Sequence, residues 1–261
     1  MKINEYYRDT ANLNLNGSIA SLIPAIIIVA GNLSIINNKE IMLLTIPFLI
    51  YSLICFQYYL FRKRQSISIN RNLVKSEHIR KTLFEARHLL VLYLGTNSSR
   101  ILLYLPDGHL AGIIKRFRGK GVRKLSFTKI YALYNIEDKV IGYFKVSGRK
   151  FIKIEVFDHK RHYLGRFEKR KLDWRTNKKQ LLDSKGRYIS VVEGSSVFMD
   201  EQLINNNHQQ EGRLRRGWMP VEWSPLFPEP NTPVLSLREV LSEKDKLLRM
   251  SLLINEYFIE R

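Results

Sequence analysis

Two runs without a charged residue constrain this chain more than anything else in it. Residues 19–36 read IASLIPAIIIVAGNLSII and residues 41–61 read IMLLTIPFLIYSLICFQYYLF, with only NNKE between them. As helices rising 1.5 Å per residue they span about 27 and 32 Å, close to the ~30 Å hydrocarbon layer of a bilayer. Two such runs in tandem predict a transmembrane helical hairpin with a polar tip. A secretory signal fits less well, because the first run starts late and follows a polar leader of mixed charge. It also has no small-x-small cleavage site before the second run. Core helices of a soluble domain fit less well too, since charge-free runs of this length are uncommon there. Pro24, Gly31 and Pro47 are tolerated in membrane helices, where neighbouring groups satisfy the freed backbone.

The charge is unevenly placed. Of 261 residues, 43 are Lys or Arg and 24 are Asp or Glu, a formal net charge of +19. Residues 1–61 balance Lys2, Arg8 and Lys39 against Glu5, Asp9 and Glu40, so the whole excess lies in residues 62–261. Self-repulsion of this size does not help folding, and it promotes binding to polyanions, nucleic acid or anionic lipid. The second run ends in Tyr58, Tyr59 and Phe61, an aromatic belt, and Arg62, Lys63 and Arg64 follow at once, whereas the tip offers Lys39 alone. The positive-inside rule then places the short N-terminus (residues 1–18) and the large C-terminal part in the cytoplasm, with the protein multi-pass in the cell membrane. The single cysteine, Cys55, allows no intramolecular disulfide and no cysteine-based zinc site. It lies within the second run, where packing is its expected role and lipidation the weaker alternative.

After a basic juxtamembrane linker, residues 62–89, four segments align. They are LLYLPDGHLAGIIKRF from Leu102, YALYNIEDKVIGYFKV from Tyr131, KIEVFDHKRHYLGRFEKR from Lys153 and QLLDSKGRYISVVEG from Gln180. Each has an apolar or aromatic run, a polar turn with an acid, and a small residue in the outgoing run: Gly112, Gly142, Gly165 and Ser190. Asp-Gly between runs rich in Tyr, Phe, Ile and Val is a hairpin signal, and the composition favours strands. A small residue at a fixed place predicts a bulge or a close approach in a curved sheet. Four regularly spaced hairpins predict an antiparallel barrel, with an open meander as the plainer alternative.

The flanks are less regular. Arg80–Leu94 reads as a short helix leading into the first strand or as strand throughout, and Asp200–Gly217, polar and rich in Asn, Gln and Arg, reads as a long loop. The prolines at 220, 225, 228, 230 and 233 predict an extended strap. A capping box at Ser242–Asp245 opens a helix over 242–259, with Leu247, Leu248, Met250, Leu252, Leu253 and Ile254 on most sides. A helix apolar nearly all round needs burial on all sides, and the inside of a β-barrel supplies it.

Repeated hairpins of this pattern followed by an apolar C-terminal helix resemble the tubby C-terminal-like superfamily, which includes the phospholipid scramblases and the LURP-one-related proteins. The resemblance covers roughly residues 90–261 and implies a twelve-stranded barrel around a hydrophobic C-terminal helix. It departs from the scramblases in carrying its membrane spans at the N-terminus. The chain also lacks their acidic Ca²⁺-loop pattern and their cysteine cluster, and no phosphoinositide-binding residue carries over.

The candidate site is the acid-free stretch RFRGKGVRKLSFTK, residues 116–129, with Lys115 before it. Lys115, Arg116, Arg118, Lys120, Arg123 and Lys124 form a basic loop suited to anionic lipid headgroups, each base near a membrane surface being worth about 1 kcal/mol. A solvated loop without a ligand is the competing reading, and nucleic acid or a protein partner follow. Arg62, Lys63 and Arg64 add juxtamembrane charge. The loop lacks the glycine spacing and Ser/Thr of a P-loop. His159-x-x-His162 beside Asp158 lacks a strong third metal ligand, and no nucleophile elbow or nucleic-acid-binding signature occurs. The expected protein is therefore a membrane-anchored non-enzyme without cofactor or metal, whose cytoplasmic barrel binds anionic phospholipid headgroups or a partner. Nucleic acid is not expected. A scaffold docking another protein and a scramblase-like lipid translocator are the alternatives.

Overall fold

The apolar runs form two long helices whose polar seam faces inward and whose apolar surface faces out. In the computed structural model, α1 spans Ile3–Gly31 and continues as a π-helical turn over Asn32–Ile36, α2 is the short Lys39–Met42, and α3 spans Ile46–Lys75. Residues 1–36, 38–75, 82–95, 99–117, 128–148, 151–171, 177–195, 198–217 and 219–260 are described. Ser18 and Ser52 meet Oγ to Oγ at 3.0 Å in the seam, with Gly17 next to Cys55 across it. At the tip the Asn32 side chain accepts from the Asn38 N–H and Asn38 from the Glu40 N–H. Both helices are long and apolar enough to cross a membrane, and only 17 % of each apolar window is buried. Ile26 and Ile27 are each 64 % exposed, which suits an apolar surround and not the core of a soluble unit.

The ends of this hairpin depart from expectation. Residues 3–18 and the first part of the predicted linker are helix, because α1 and α3 run on past the apolar windows. Ile3, Tyr7 and Ala11 recur every four residues on one face and bury themselves with Ile69 and Leu73. Asn4 bonds Asn70 across the pair at 3.1 Å, and Ser66 Oγ donates to the Asn4 carbonyl at 2.8 Å. The chain divides into this unit, Met1–Ser76, and a second, Glu77–Arg261.

The second unit is a closed antiparallel barrel of twelve strands. They are β1 (His88–Leu94), β2 (Arg100–Tyr104), β3 (Leu110–Arg116), β4 (Lys129–Tyr134), β5 (Val140–Ser147), β6 (Phe151–Asp158), β7 (Tyr163–Lys171), β8 (Asn177–Asp183), β9 (Tyr188–Ser195), β10 (Asp200–Asn205), β11 (Gln210–Arg215) and β12 (Val234–Leu237). Each strand pairs with the next, and β12 closes on β1 with Leu89 opposite Leu235. Closure leaves no unpaired sheet edge. The segment before β1 is a turn at Leu83–Glu85 followed by a strand that begins at His88, two residues before the expected domain start.

The repeat has five members, one more than the sequence shows. The stretch 200–217, expected as a loop, is the β10–β11 hairpin. All five turns share one hydrogen-bond pattern, in which the first residue's N–H bonds the fifth carbonyl and the fourth N–H bonds the first carbonyl. They begin at Leu105, Asn135, Asp158, Asp183 and Asn205. The fourth position has positive φ each time, at Gly108, Asp138, Arg161, Gly186 and His208. In the last four turns the first residue's Asn or Asp carboxamide or carboxylate accepts backbone N–H groups across the turn, for example Asn205 Oδ1 from Asn207 and Gln209. These side chains fix the turn from within. Three residues past each turn stands the small residue, now including Gly212, beside a register shift in the ladder.

Two of the small residues, Gly142 and Gly165, make room for the C-terminal helix. It is two segments, α4 (Glu243–Arg249) and α5 (Ser251–Phe258), separated at Met250, where one continuous helix is expected. Ser242 caps α4, its Oγ accepting the Asp245 N–H. A Cβ at Gly142 would stand 2.5 Å from Leu247 Cδ2, and one at Gly165 would stand 3.1 Å from Leu248 Cδ2. Leu247, Leu248, Met250, Leu252, Leu253 and Ile254 are buried against inward side chains of the strands, including Leu103, Leu133, Phe144, Ile154 and Phe167. Each buried Leu or Ile contributes roughly 1.5–3 kcal/mol, so the helix is the core of the barrel.

Candidate functional site

The expected basic loop lies mostly outside the described residues: Arg118, Lys120, Arg123 and Lys124 fall there. Lys115, near the end of β3, is occupied locally. Its Nζ bonds Asp138 Oδ1 at 3.0 Å and stands 4.1 Å from the Tyr134 ring centre. Arg116 ends β3 exposed. On α3, Arg62 lies over the Tyr7 ring at 5.5 Å, Lys63 bonds Tyr59 Oη at 2.9 Å, and Arg64 is exposed.

Many other bases spend their charge on strand neighbours. Lys145 and Lys153 converge on Glu155 at 2.9 and 2.7 Å, and Arg166 bonds Glu168 at 2.6 Å. Burial works against the Glu155 carboxylate, but the bonds from Lys153 and Lys145 outweigh it and hold Glu155 below the ordinary range. His162, singled out as half of a metal motif, instead donates its backbone N–H to Asp158 at 2.8 Å and sets its ring 3.0 Å from the same carboxylate. It belongs to a turn.

Two clusters that sequence reasoning missed emerge. One is buried inside the barrel. Lys179 on β8 stands directly across the ladder from Lys169 on β7, both facing the helix. Lys179 Nζ contacts carboxylates of Glu201 (β10), Glu256 at 3.1 Å and Glu260 at 2.9 Å, while Lys169 bonds Glu260 at 2.6 Å. Asn255 Nδ2 donates to Glu256 and Glu260 at 2.7 and 2.6 Å. Burial of Glu201, aided by the Glu256 charge, raises its carboxyl from 4.5 to about 7 despite Lys179. Burial opposes the Lys179 charge, yet Glu201 and Glu256 hold it above the ordinary lysine range. This cluster ties the end of α5 to the wall.

The other cluster is a groove of about 390 Å³ on the outside of the barrel, over β1, β11 and β12. Leu214, Leu235 and Leu237 face the core, so alternation turns Arg213, Arg215, Val234 and Ser236 outward. His88, Ser236 and Arg213 stand side by side across the three strands. The proline-rich strap forms the remaining wall. Its turn Val221–Trp223 sets the Trp223 ring 5.7 Å from that of His88, and Phe227 is buried against Tyr104. His88 Nδ1 lies 2.9 Å from Ser236 Oγ. Burial, and then the neighbouring Arg87 charge, hold the imidazole below its usual range, with Glu239 opposing.

Arg213 grips Asp200 with Nε at 2.7 Å and Nη2 at 2.8 Å, and Arg215 lies 3.8 Å from the same carboxylate. Arg238 bonds the neutral Gln209 side chain at 2.6 Å. Glu211, the acid that lines the groove, turns to Arg249 of α4 at 2.5 Å. The sequence signal for this wall is the alternation of Gly212-Arg213-Leu214-Arg215, within a stretch whose polar composition predicts a loop. No family model, curated protein or solved structure matches the chain.

Proposed function

We propose that this is a membrane-anchored, non-enzymatic binding protein whose barrel sits at the inner face of the cell membrane and recognises anionic lipid headgroups there. The observation that carries the reading is the charge asymmetry of the hairpin. Its open end carries Lys2, Arg8, Arg62, Lys63, Arg64, Arg71 and Lys75 against Glu5 and Asp9, its tip carries Lys39 against Glu40, and the whole formal excess of +19 lies in residues 62–261. Bases next to a membrane helix orient it inside and feel the anionic leaflet. The buried carboxylates of the barrel are committed to holding its helix, which supports a binding role over acid–base chemistry. Twelve strands around a buried C-terminal helix support kinship with the tubby C-terminal-like superfamily.

The test uses the full chain in neutral nanodiscs, presented with fluorescent vesicles of graded phosphatidylserine content. The expected result is capture that rises with anionic lipid, weakens with salt and falls when Arg116, Arg118, Lys120, Arg123 and Lys124 are all changed to Ala. Capture that ignores both lipid charge and these five changes overturns the reading.

A further inference from the structure

We infer that the groove between β1, β11, β12 and the Val221–Trp223 turn is a discrete site for a phosphomonoester, its phosphoryl group on the arginines and its body against Trp223. This goes beyond the lipid-surface reading and does not depend on it, because none of the groove residues belongs to the 115–124 loop.

The charge inventory points to a dianion. Arg87, Arg213, Arg215 and Arg238 line the groove. Asp200 is the carboxylate that Arg213 and Arg215 share, and Glu211 is engaged with Arg249 in the interior. Among the described residues neither Arg87 nor Arg238 forms an ion pair, so the groove holds cationic charge beyond what its own acids balance. Glu239, the residue after Arg238, is not part of the lining, and its charge acts on His88 after burial and Arg87. Planar guanidinium groups present N–H pairs that match phosphoryl oxygens. His88, kept neutral by its surroundings and set by Ser236, supplies a further polar contact without adding charge.

The volume and walls point to more than bare phosphate. About 390 Å³ lies in the range of small-molecule sites, and Pro220, Trp223 and Val234 give it an apolar side. An indole at the mouth of a basic groove suits a flat or apolar body carrying the charged group. Arg213 is already held by two bonds to Asp200, so part of the site is positioned before any ligand arrives.

The experiment is calorimetric titration of the full chain in neutral nanodiscs with phenyl phosphate, with inorganic phosphate as competitor. Saturable binding, stronger for phenyl phosphate, is expected. The double variant Arg87→Gln/Arg238→Gln should weaken it about tenfold or more without moving the thermal unfolding midpoint, since neither side chain holds the fold by an ion pair. Trp223→Ala should bring phenyl phosphate down toward the affinity of inorganic phosphate. The five-alanine loop variant should bind phenyl phosphate like the wild type, which separates this site from the lipid-surface reading. Nanodiscs doped with phosphatidic acid distinguish the source: competition there assigns a lipid phosphomonoester, and its lack a soluble one. Absence of binding at millimolar phenyl phosphate, or binding unchanged by the double variant, overturns the proposal.

Discussion

Replacing Lys179 by Met should strip three carboxylates inside the barrel of the cation they share. Lys179 is 5 % exposed and is the shared partner of Glu201, Glu256 and Glu260. Methionine fills similar space, so the perturbation is electrostatic and not a cavity. Removing one partner of a buried ion pair costs about 3–5 kcal/mol, because the remaining charges stay desolvated. The cost should depend on pH. In the wild type, raising Glu201 from 4.5 to about 7 makes its ionisation in the folded barrel cost about 3 kcal/mol, at about 1.36 kcal/mol per tenfold change in proton affinity. A folded-state value above the unfolded one means that the protonated form stabilises. That contribution is complete below about pH 4.5 and is lost as pH rises through about 7. Without the Lys179 ammonium the carboxyls rise further, so the variant should lose most at pH 8 and recover part of its stability at pH 5. Glu201→Gln should remove the fall in stability between pH 5 and 8 that Glu201 causes, since a neutral amide stands for the protonated acid, and leave the opposite dependence of His88, whose lowered folded value makes stability rise with pH. Urea unfolding of the full chain in detergent, followed by near-ultraviolet circular dichroism at pH 5, 6.5 and 8, measures all three. A Lys179→Met loss under 1 kcal/mol at pH 8, or equal losses at pH 5 and 8, refutes the reasoning.

Two further predictions concern the repeat and the hairpin. Gly142→Ala should destabilise the barrel by about 1–3 kcal/mol, because its Cβ would meet Leu247 at 2.5 Å and the Phe157 carbonyl at 3.0 Å. Gly186→Ala, with open space but φ of +79°, should cost about 1 kcal/mol from the left-handed backbone alone, and thermal unfolding separates the two. Ser18→Ala together with Ser52→Ala should weaken hairpin association by about 0.6 kcal/mol, the usual worth of a polar contact between membrane helices, as read by helix-pair energy transfer.

The sequence-to-structure comparison turns on which signals are local. The hairpin is legible because absence of charge over a membrane's thickness is a property of the run itself. Four of the five β-hairpins are legible because each joins an acid-bearing turn to Tyr, Phe, Ile and Val, and because a small residue follows at a fixed distance. The fifth hides because Asn205–Gln209 is all Asn, His and Gln, a composition shared with loops, although Asn205 builds the same turn. The helical stalk of residues 3–16 and 62–75 hides because its apolar stripe is thin, resting on Ile3, Tyr7, Ala11, Ile69 and Leu73. The split at Met250 escapes the sequence because α4 and α5 carry apolar residues straight through it. The groove was legible only in the alternation of its β11 wall. Arg87 is remote in sequence from Arg213, Trp223 and Arg238 and joins them because β12, paired with β11, also closes on β1. The interior cluster escaped for the same reason, since Lys179, Glu201 and Glu256 look like ordinary surface charges until the strand faces are known.

A barrel held at the inner face of the membrane is tested most directly by topology. In a Cys55→Ser background, single cysteines at the tip (Asn38→Cys) and at a barrel turn (His208→Cys) would be probed with a membrane-impermeant maleimide. In intact cells the tip should label, and the barrel turn should label only after lysis. Labelling of position 208 in intact cells would put the whole basic unit on the outer side and contradict a role at the anionic inner leaflet.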